Sequence, residues 1–278
     1  MLSEILLEVV MELHVQGPGP AAPFLSARDL FETEHDLELP VTVRIRENPD
    51  ERTWTGHDDD GHVLNISRQA ATSAMARELA VHEFAHMLRN EEEHPSHVQS
   101  TEEALFLALA GESVERHTLT QCYQIANHMK DIYADDITLA LGPTDKLVAF
   151  FESSLASALS DRPDESGDGT AWGLFGGRAP DAAPDSDSRR LTAATDPEIT
   201  AVNAAFALAM VERHGLADAD HRLYDLAHAA ARDAPAIDSE AFKRRFKNLQ
   251  RNPDPSDYRK ELVDATRAFA AGSGRAAD

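Results

Sequence analysis

The stretch at residues 79–90, LAVHEFAHMLRN, constrains the fold more than any other part of the chain. His82 and His86 lie four residues apart, so on a helix both imidazoles leave the same face and can bind one metal ion. Glu83 can then act as a general base towards a water in the open coordination position. A buried face with these groups is costly without partners, and a metal removes that cost. The alternative is a pair of core histidines that hydrogen-bond to backbone or carboxylates.

The segments before this helix predict two strands. Residues 39–47, LPVTVRIRE, alternate apolar and polar side chains, which indicates a half-buried strand. Residues 62–67, HVLNIS, indicate a second strand after a turn-rich segment. We expect Ser67 to open a helix that runs through the two histidines to residue 90.

A strand followed directly by the metal-binding helix is the order found in zincin catalytic domains. The segment 58–67, DDDGHVLNIS, resembles the entry to the active helix in many small zincins. This resemblance implies that the edge of the strand 62–67 binds an extended peptide by strand addition. The alternative is an ordinary edge strand of a hairpin.

The third protein ligand is expected from a segment after the helix. The long zinc-binding motif of astacins and matrix proteases needs glycine at 89 and histidine at 92, but the chain has Arg89 and Glu92, so that class is excluded. The segment that follows, EEEHPSHVQS, is acidic, and we expect its His94 and His97 to be exposed. Four carboxylates farther along the chain are candidates: Glu103, Glu112, Asp131 and Asp136.

Three of these candidates have separate support. Glu112 has the spacing of the glutamate ligand in thermolysin-like gluzincins. Glu103 begins EEALFLALA, which resembles the ligand helix of small phage-repressor-cleaving metallopeptidases. Asp136 falls within the apolar stripe of a helix predicted at 118–141, and a buried carboxylate there needs a partner.

Asp131 is the preferred third ligand. Asn127, Asp131 and Asp135 resemble N-x-x-x-D-x-x-x-N, the third-ligand helix of some bacterial and archaeal zincins. The segment 131–135, DIYAD, also resembles E-x-x-A-D of membrane-bound prenyl-proteases, with aspartate in place of glutamate and without the membrane helices. That resemblance implies that Asp131 binds the metal and Asp135 orients a ligand histidine. The alternative is a solvated row of acids opposite the apolar stripe.

The charge balance excludes several kinds of partner. There are 49 acidic against 26 basic residues, a net charge of −23 at pH 7. Such a surface repels nucleic acids and anionic membranes, so neither is expected as a partner. The Asp-rich, lysine-poor composition resembles that of haloarchaeal proteins, which are adapted to molar salt. Cys122 has no second cysteine to pair with, and its apolar neighbours indicate a small buried residue.

The chain also lacks the sequence of a membrane span. A spanning helix needs about 20 consecutive apolar residues, which no stretch provides. The apolar start of the chain contains Glu4, Glu8 and Glu12 and reads as a short helix at 3–14 rather than a signal peptide. We therefore expect a cytoplasmic protein.

The order of the segments predicts an α+β fold that is predominantly α-helical. A zincin-like domain would cover residues 1–160, with a short sheet packed on the metal-binding helix. Residues 161–198 are rich in Gly, Pro, Asp and Ser and are expected to form an acidic flexible linker. Residues 199–278 would form a C-terminal helical region packed on or beside the core.

The first hypothesis for function is a zinc-dependent metallopeptidase of the gluzincin or aspzincin type. Zn²⁺ would be held by His82, His86 and Asp131, with a peptide or protein as substrate. Glu83 would take the proton of the attacking water and pass it to the leaving amine. Two side chains are candidates for a helper that stabilises the oxyanion: Tyr133 and His128. The alternative is a catalytically weak or inactive zincin-like protein that serves as a binding or regulatory module.

Overall fold

A computed structural model describes residues 11–49, 51–160 and 196–273 of the chain. Helices dominate these ranges and a small mixed sheet accompanies them, so the predicted fold class is confirmed. The sheet has the order β1-β2-β4-β3 within the described residues. Its strands are β1 (Leu13–Gln16), β2 (Val41–Arg46), β3 (Trp54–Asp58) and β4 (Gly61–Ser67).

The sheet places β4 in its interior and β3 at one edge. β1 and β4 flank β2 in parallel, and β3 pairs with β4 in the antiparallel sense. Val41, Val43 and Ile45 of β2 are buried and alternate with more exposed residues, as the sequence predicts. The expectation that 62–67 is an edge strand was wrong, because β2 and β3 cover both of its sides.

The helices of the described ranges are numbered in chain order. They are α1 (Ala22–Phe31), α2 (Arg68–Ala71), α3 (Ala76–Glu91), α4 (Pro95–Val98), α5 (Thr101–Leu109), α6 (Arg116–Leu141), α7 (Asp145–Ser160), α8 (Pro197–His214), α9 (Arg222–Asp233), α10 (Ser239–Lys247) and α11 (Pro255–Ser273). None of them is long and apolar enough to cross a membrane.

Two helix predictions need correction. The helix expected from Ser67 to residue 90 is split into α2 and α3, although Ser67 does cap α2 by accepting a hydrogen bond from the Ala70 N–H at 3.1 Å. The helix expected at 3–14 is wrong at its end, where Leu13 begins β1. Its first part, residues 3–10, lies outside the described residues.

The apolar core consists of two clusters that share α6. One cluster packs the sheet against α1 and α3, and Ala134 and Ile137 of α6 belong to it. The other packs α5 to α11, and Ile125 and Met129 of α6 belong to that one. α6 is therefore buried on two faces, and the first of them lies against α3. The division into domains stays a prediction, and most of the expected linker, 161–195, lies outside the described residues.

Candidate metal centre

Two histidines of α3 and one aspartate of α6 form a cluster. The Nε2 atoms of His82 and His86 lie 3.0 Å apart, and Asp131 Oδ1 lies 3.8 Å from the first and 3.3 Å from the second. His82 and Asp131 are buried and His86 is half-buried. One ligand atom of each residue lies within 4.8 Å of the others. Two imidazoles and a carboxylate are the donor set of many open zinc sites, so the cluster could hold a metal ion.

A hydrogen bond from outside the cluster sets the protonation of His82. Its Nδ1 lies 2.7 Å from Asp135 Oδ1, and since an ionised carboxylate only accepts, Nδ1 carries a proton. A neutral His82 therefore turns the lone pair of its Nε2 towards His86 Nε2. Two imidazole nitrogens 3.0 Å apart repel unless a proton or a metal cation lies between them. The geometry thus favours a positive charge at this place.

The charges of the cluster shift the pKa values of its members. Burial alone would raise the pKa of Asp131, but the neighbouring imidazoles of His128, His82 and His86 hold it well below its usual range. Burial acts to lower the pKa of His82, yet the charges of Asp135 and Asp131 outweigh it and raise that pKa well above its usual value. Burial raises the pKa of Glu83 against the opposing charges of the two histidines. Glu83 is therefore a stronger proton acceptor than a free glutamate.

The other three candidate carboxylates lie elsewhere. Asp136 makes two hydrogen bonds to the guanidinium of Arg213 in α8, at 2.8 and 2.6 Å. Glu103 is exposed in the first turn of α5, and Glu112 is exposed after the end of that helix. The structure thus brings Asp131 to the two histidines, and its role as a ligand stays a prediction.

The two proposed helpers occupy different sides of α6. His128 Nδ1 lies 3.7 Å from Asp131 Oδ2, and His128 Nε2 lies 2.8 Å from Asn203 Oδ1 of α8. The 3.7 Å separation is longer than a hydrogen bond, so His128 lies near Asp131 without bonding to it. Tyr133 is fully buried, and its ring packs against His94 with the ring centres 4.6 Å apart.

The segment expected to be an exposed turn contacts the cluster instead. His94 is buried, His97 is half-buried, and His97 Nε2 lies 2.7 Å from His86 Nδ1. The prediction of two exposed histidines was wrong because α11 and the loop before it cover α4 from far along the chain. One local signal was available: Pro95 occupies the first position of α4, where proline favours a helix start.

A second pair of histidines lies at the edge of the sheet. His57 of β3 and His62 of β4 place their Nδ1 atoms 2.8 Å apart, and His62 Nε2 lies 2.9 Å from Glu91 Oε1. Burial, and then the charge of His62, lower the pKa of His57 to about 4, and the charges of His86 and Lys130 act in the same direction. β3 therefore lies close to the metal cluster. Sequence reasoning missed His57 because it read the segment 54–58 as a turn, and it placed His62 in a strand without giving it a role.

Comparison with known families places the whole arrangement in one family. The sequence profile of the family of unknown function DUF5781 matches residues 11–271, so the chain belongs to that family. The matched range contains both α3 and α6, and with them all three residues of the cluster. Searches of curated proteins and of solved structures gave no match.

Proposed function

We propose that this protein is a zinc-dependent metallopeptidase whose metal is held by His82, His86 and Asp131. The observation that carries the proposal is the pair of Nε2 atoms 3.0 Å apart beside the Asp131 carboxylate. When bound, zinc would supply a Lewis acid that polarises the scissile carbonyl and activates a water molecule. The remaining chemistry falls to side chains of this chain.

Glu83 is the proton-transfer residue of this proposal. It follows His82 directly on α3, and only 7% of it is exposed. Because burial raises its pKa, the ionised carboxylate accepts a proton more readily than it would in water. It takes the proton of the attacking water and then gives that proton to the leaving amine.

The edge strand β3 provides a place for an extended substrate. β4 has neighbours on both sides, whereas within the described sheet β3 pairs only with β4. β3 also packs against α3, and the charge of His86 reaches His57. A peptide that pairs with the outer side of β3 would therefore run close to the metal cluster.

The test compares Glu83→Gln with the wild type. Glutamine keeps the shape of the side chain and removes the proton acceptor, so peptide hydrolysis should fall about 10²–10⁴-fold. The zinc content should not change, because Glu83 is not one of the ligands. Glu92→Gln, an exposed glutamate at the end of the same helix, is the matched control and should keep full activity.

Activity is measured on a broad peptide library in high salt, which suits so acidic a surface. Equal product from wild type and Glu83→Gln would refute the peptidase proposal. Zinc binding by both proteins would then leave the metal site standing, in a protein that binds or regulates.

A further inference from the structure

We infer that His97 is a positioning residue that holds His86 in the form able to bind metal, and that it is set by a chain of hydrogen bonds from the C-terminal helical region. The inference rests on the metal site of the proposed function and adds to it. It assigns a role to Ser96, His94 and the Arg251 carbonyl, which lie outside the ligand set.

The chain, which we call the histidine relay, has four links. His86 Nδ1 lies 2.7 Å from His97 Nε2, and His97 Nδ1 lies 2.7 Å from Ser96 Oγ. Ser96 Oγ lies 2.7 Å from His94 Nδ1, and His94 Nε2 lies 3.2 Å from the carbonyl oxygen of Arg251. Arg251 belongs to the loop between α10 and α11. The relay therefore joins the metal cluster to the far end of the chain.

The Arg251 end fixes the direction of every link. A carbonyl oxygen only accepts, so His94 Nε2 must carry a proton and donate it. Burial lowers the pKa of His94, so its ring is neutral and its Nδ1 is an acceptor. The Ser96 backbone N–H also donates to that Nδ1 at 3.3 Å, which agrees with this assignment.

The remaining links follow from this assignment. The Ser96 hydroxyl has one proton and gives it to His94, so it must accept a hydrogen bond from His97 Nδ1. A neutral His97 that carries its proton on Nδ1 has its lone pair on Nε2, so this Nε2 accepts a hydrogen bond. His86 Nδ1 must then donate to His97, which leaves a lone pair on His86 Nε2.

The result matches the arrangement at the other histidine. Asp135 holds the proton of His82 on Nδ1, and the relay holds the proton of His86 on Nδ1. When His82 is neutral, as a histidine that binds a metal must be, both Nε2 lone pairs therefore face the same place beside Asp131. Partners of this kind fix the tautomer and orientation of a metal ligand, and their loss typically weakens metal binding about 10–100-fold.

The test measures the zinc Kd by competition with a chelator for two variants of the full chain. Ser96→Ala removes the hydroxyl, so His97 Nδ1 loses its acceptor and zinc should bind about 10-fold more weakly. His97→Gln keeps a carbonyl oxygen that can accept from His86 Nδ1, so its affinity should stay close to that of the wild type. Ser100→Ala is the control: Ser100 caps α5 with its hydroxyl but lies outside the relay.

The double variant Ser96→Ala/His97→Gln separates the relay from a purely structural effect. The amide of the His97→Gln variant has no tautomers, so its carbonyl oxygen can accept from His86 Nδ1 without help from Ser96. Ser96→Ala should therefore cause no further loss of zinc affinity in that background. Urea unfolding of each metal-free variant reports stability separately from affinity. Full zinc affinity in Ser96→Ala, or an equal loss in both backgrounds, overturns the relay and leaves the proposed function standing. A wild type that binds no zinc overturns the proposed metal site, and the relay with it.

Discussion

Asp136→Asn should destabilise the protein strongly without affecting zinc binding. Asp136 lies one position after Asp135 on α6, yet it faces the helical core. Its carboxylate takes two hydrogen bonds from Arg213, and His214 Nε2 lies 3.2 Å away. The side chains of Asp136 and Arg213 are only 4% and 8% exposed. The substitution therefore leaves a buried guanidinium without its counter-charge.

The size of the loss in unfolding free energy depends on the hydrogen bonds that Arg213 keeps in the variant. Removing one partner of a buried ion pair costs about 3–5 kcal/mol. Arg213 also donates to the carbonyls of Lys247 and Leu249, at 2.9 and 2.7 Å, and these bonds remain. We therefore expect the low end, about 3 kcal/mol. For a domain of this size that corresponds to a Tm lower by about 6–12 °C.

The effect should depend on pH in one direction. Burial alone would raise the pKa of Asp136, but Arg213 and His214 hold it below its usual range. A lowered folded pKa adds stability that is complete above the unfolded value of about 3.9 and is lost as pH falls towards the folded value. Urea unfolding of the two proteins measures the difference between their unfolding free energies. This difference should be the same at neutral pH and at about pH 5, and smaller at about pH 3.5.

Two results would refute this reasoning. One is a loss of unfolding free energy below about 1 kcal/mol at neutral pH, which is what an exposed ion pair contributes. The other is a loss that stays constant into the acid range. Asp131→Asn is the matched variant on the same helix, and it should lose zinc binding where Asp136→Asn keeps it.

Two further predictions concern single side chains. Asp135→Ala removes the acceptor of His82 Nδ1 and should raise the zinc Kd about 10–100-fold, as measured by chelator competition. An unchanged Kd would show that Asp135 does not orient the ligand. Burial raises the pKa of Cys122 to about 12, so its thiol should not react with a disulfide reagent at pH 8 until urea unfolds the protein; rapid reaction of the folded protein would contradict this.

Much of the fold follows from local patterns. The strand β2 and the helix α6 have periodic apolar positions, and the structure shows both near the predicted places, 39–47 and 118–141. β3 was missed because WTGHD lies within a run of turn-forming residues. Its strand character comes from pairing with β4, which a local pattern does not report.

The two aspartates of α6 show what helix periodicity can decide. Asp136 interrupts the apolar stripe, and the requirement that a buried carboxylate has a partner is met by Arg213. Asp131 lies on a row that reads equally well as a solvated face. It is buried because α6 packs on two sides, and the second side becomes visible only when α3 is placed against it.

The histidine relay could not be predicted because it closes over a long sequence separation. The acidic run before His94 indicated an exposed turn, whereas the loop at Arg251 covers it from 157 residues away. Local composition reports the average surroundings of a segment. It does not report which distant loop packs on it.

The most direct test of the account is the zinc content of the protein after purification without added metal. Elemental analysis of the wild type should give one zinc per chain, and Asp131→Ala should give far less while remaining folded by circular dichroism. A wild type that holds far less than one zinc per chain would contradict the metal site. A folded Asp131→Ala variant that keeps a full zinc would contradict the assignment of the third ligand.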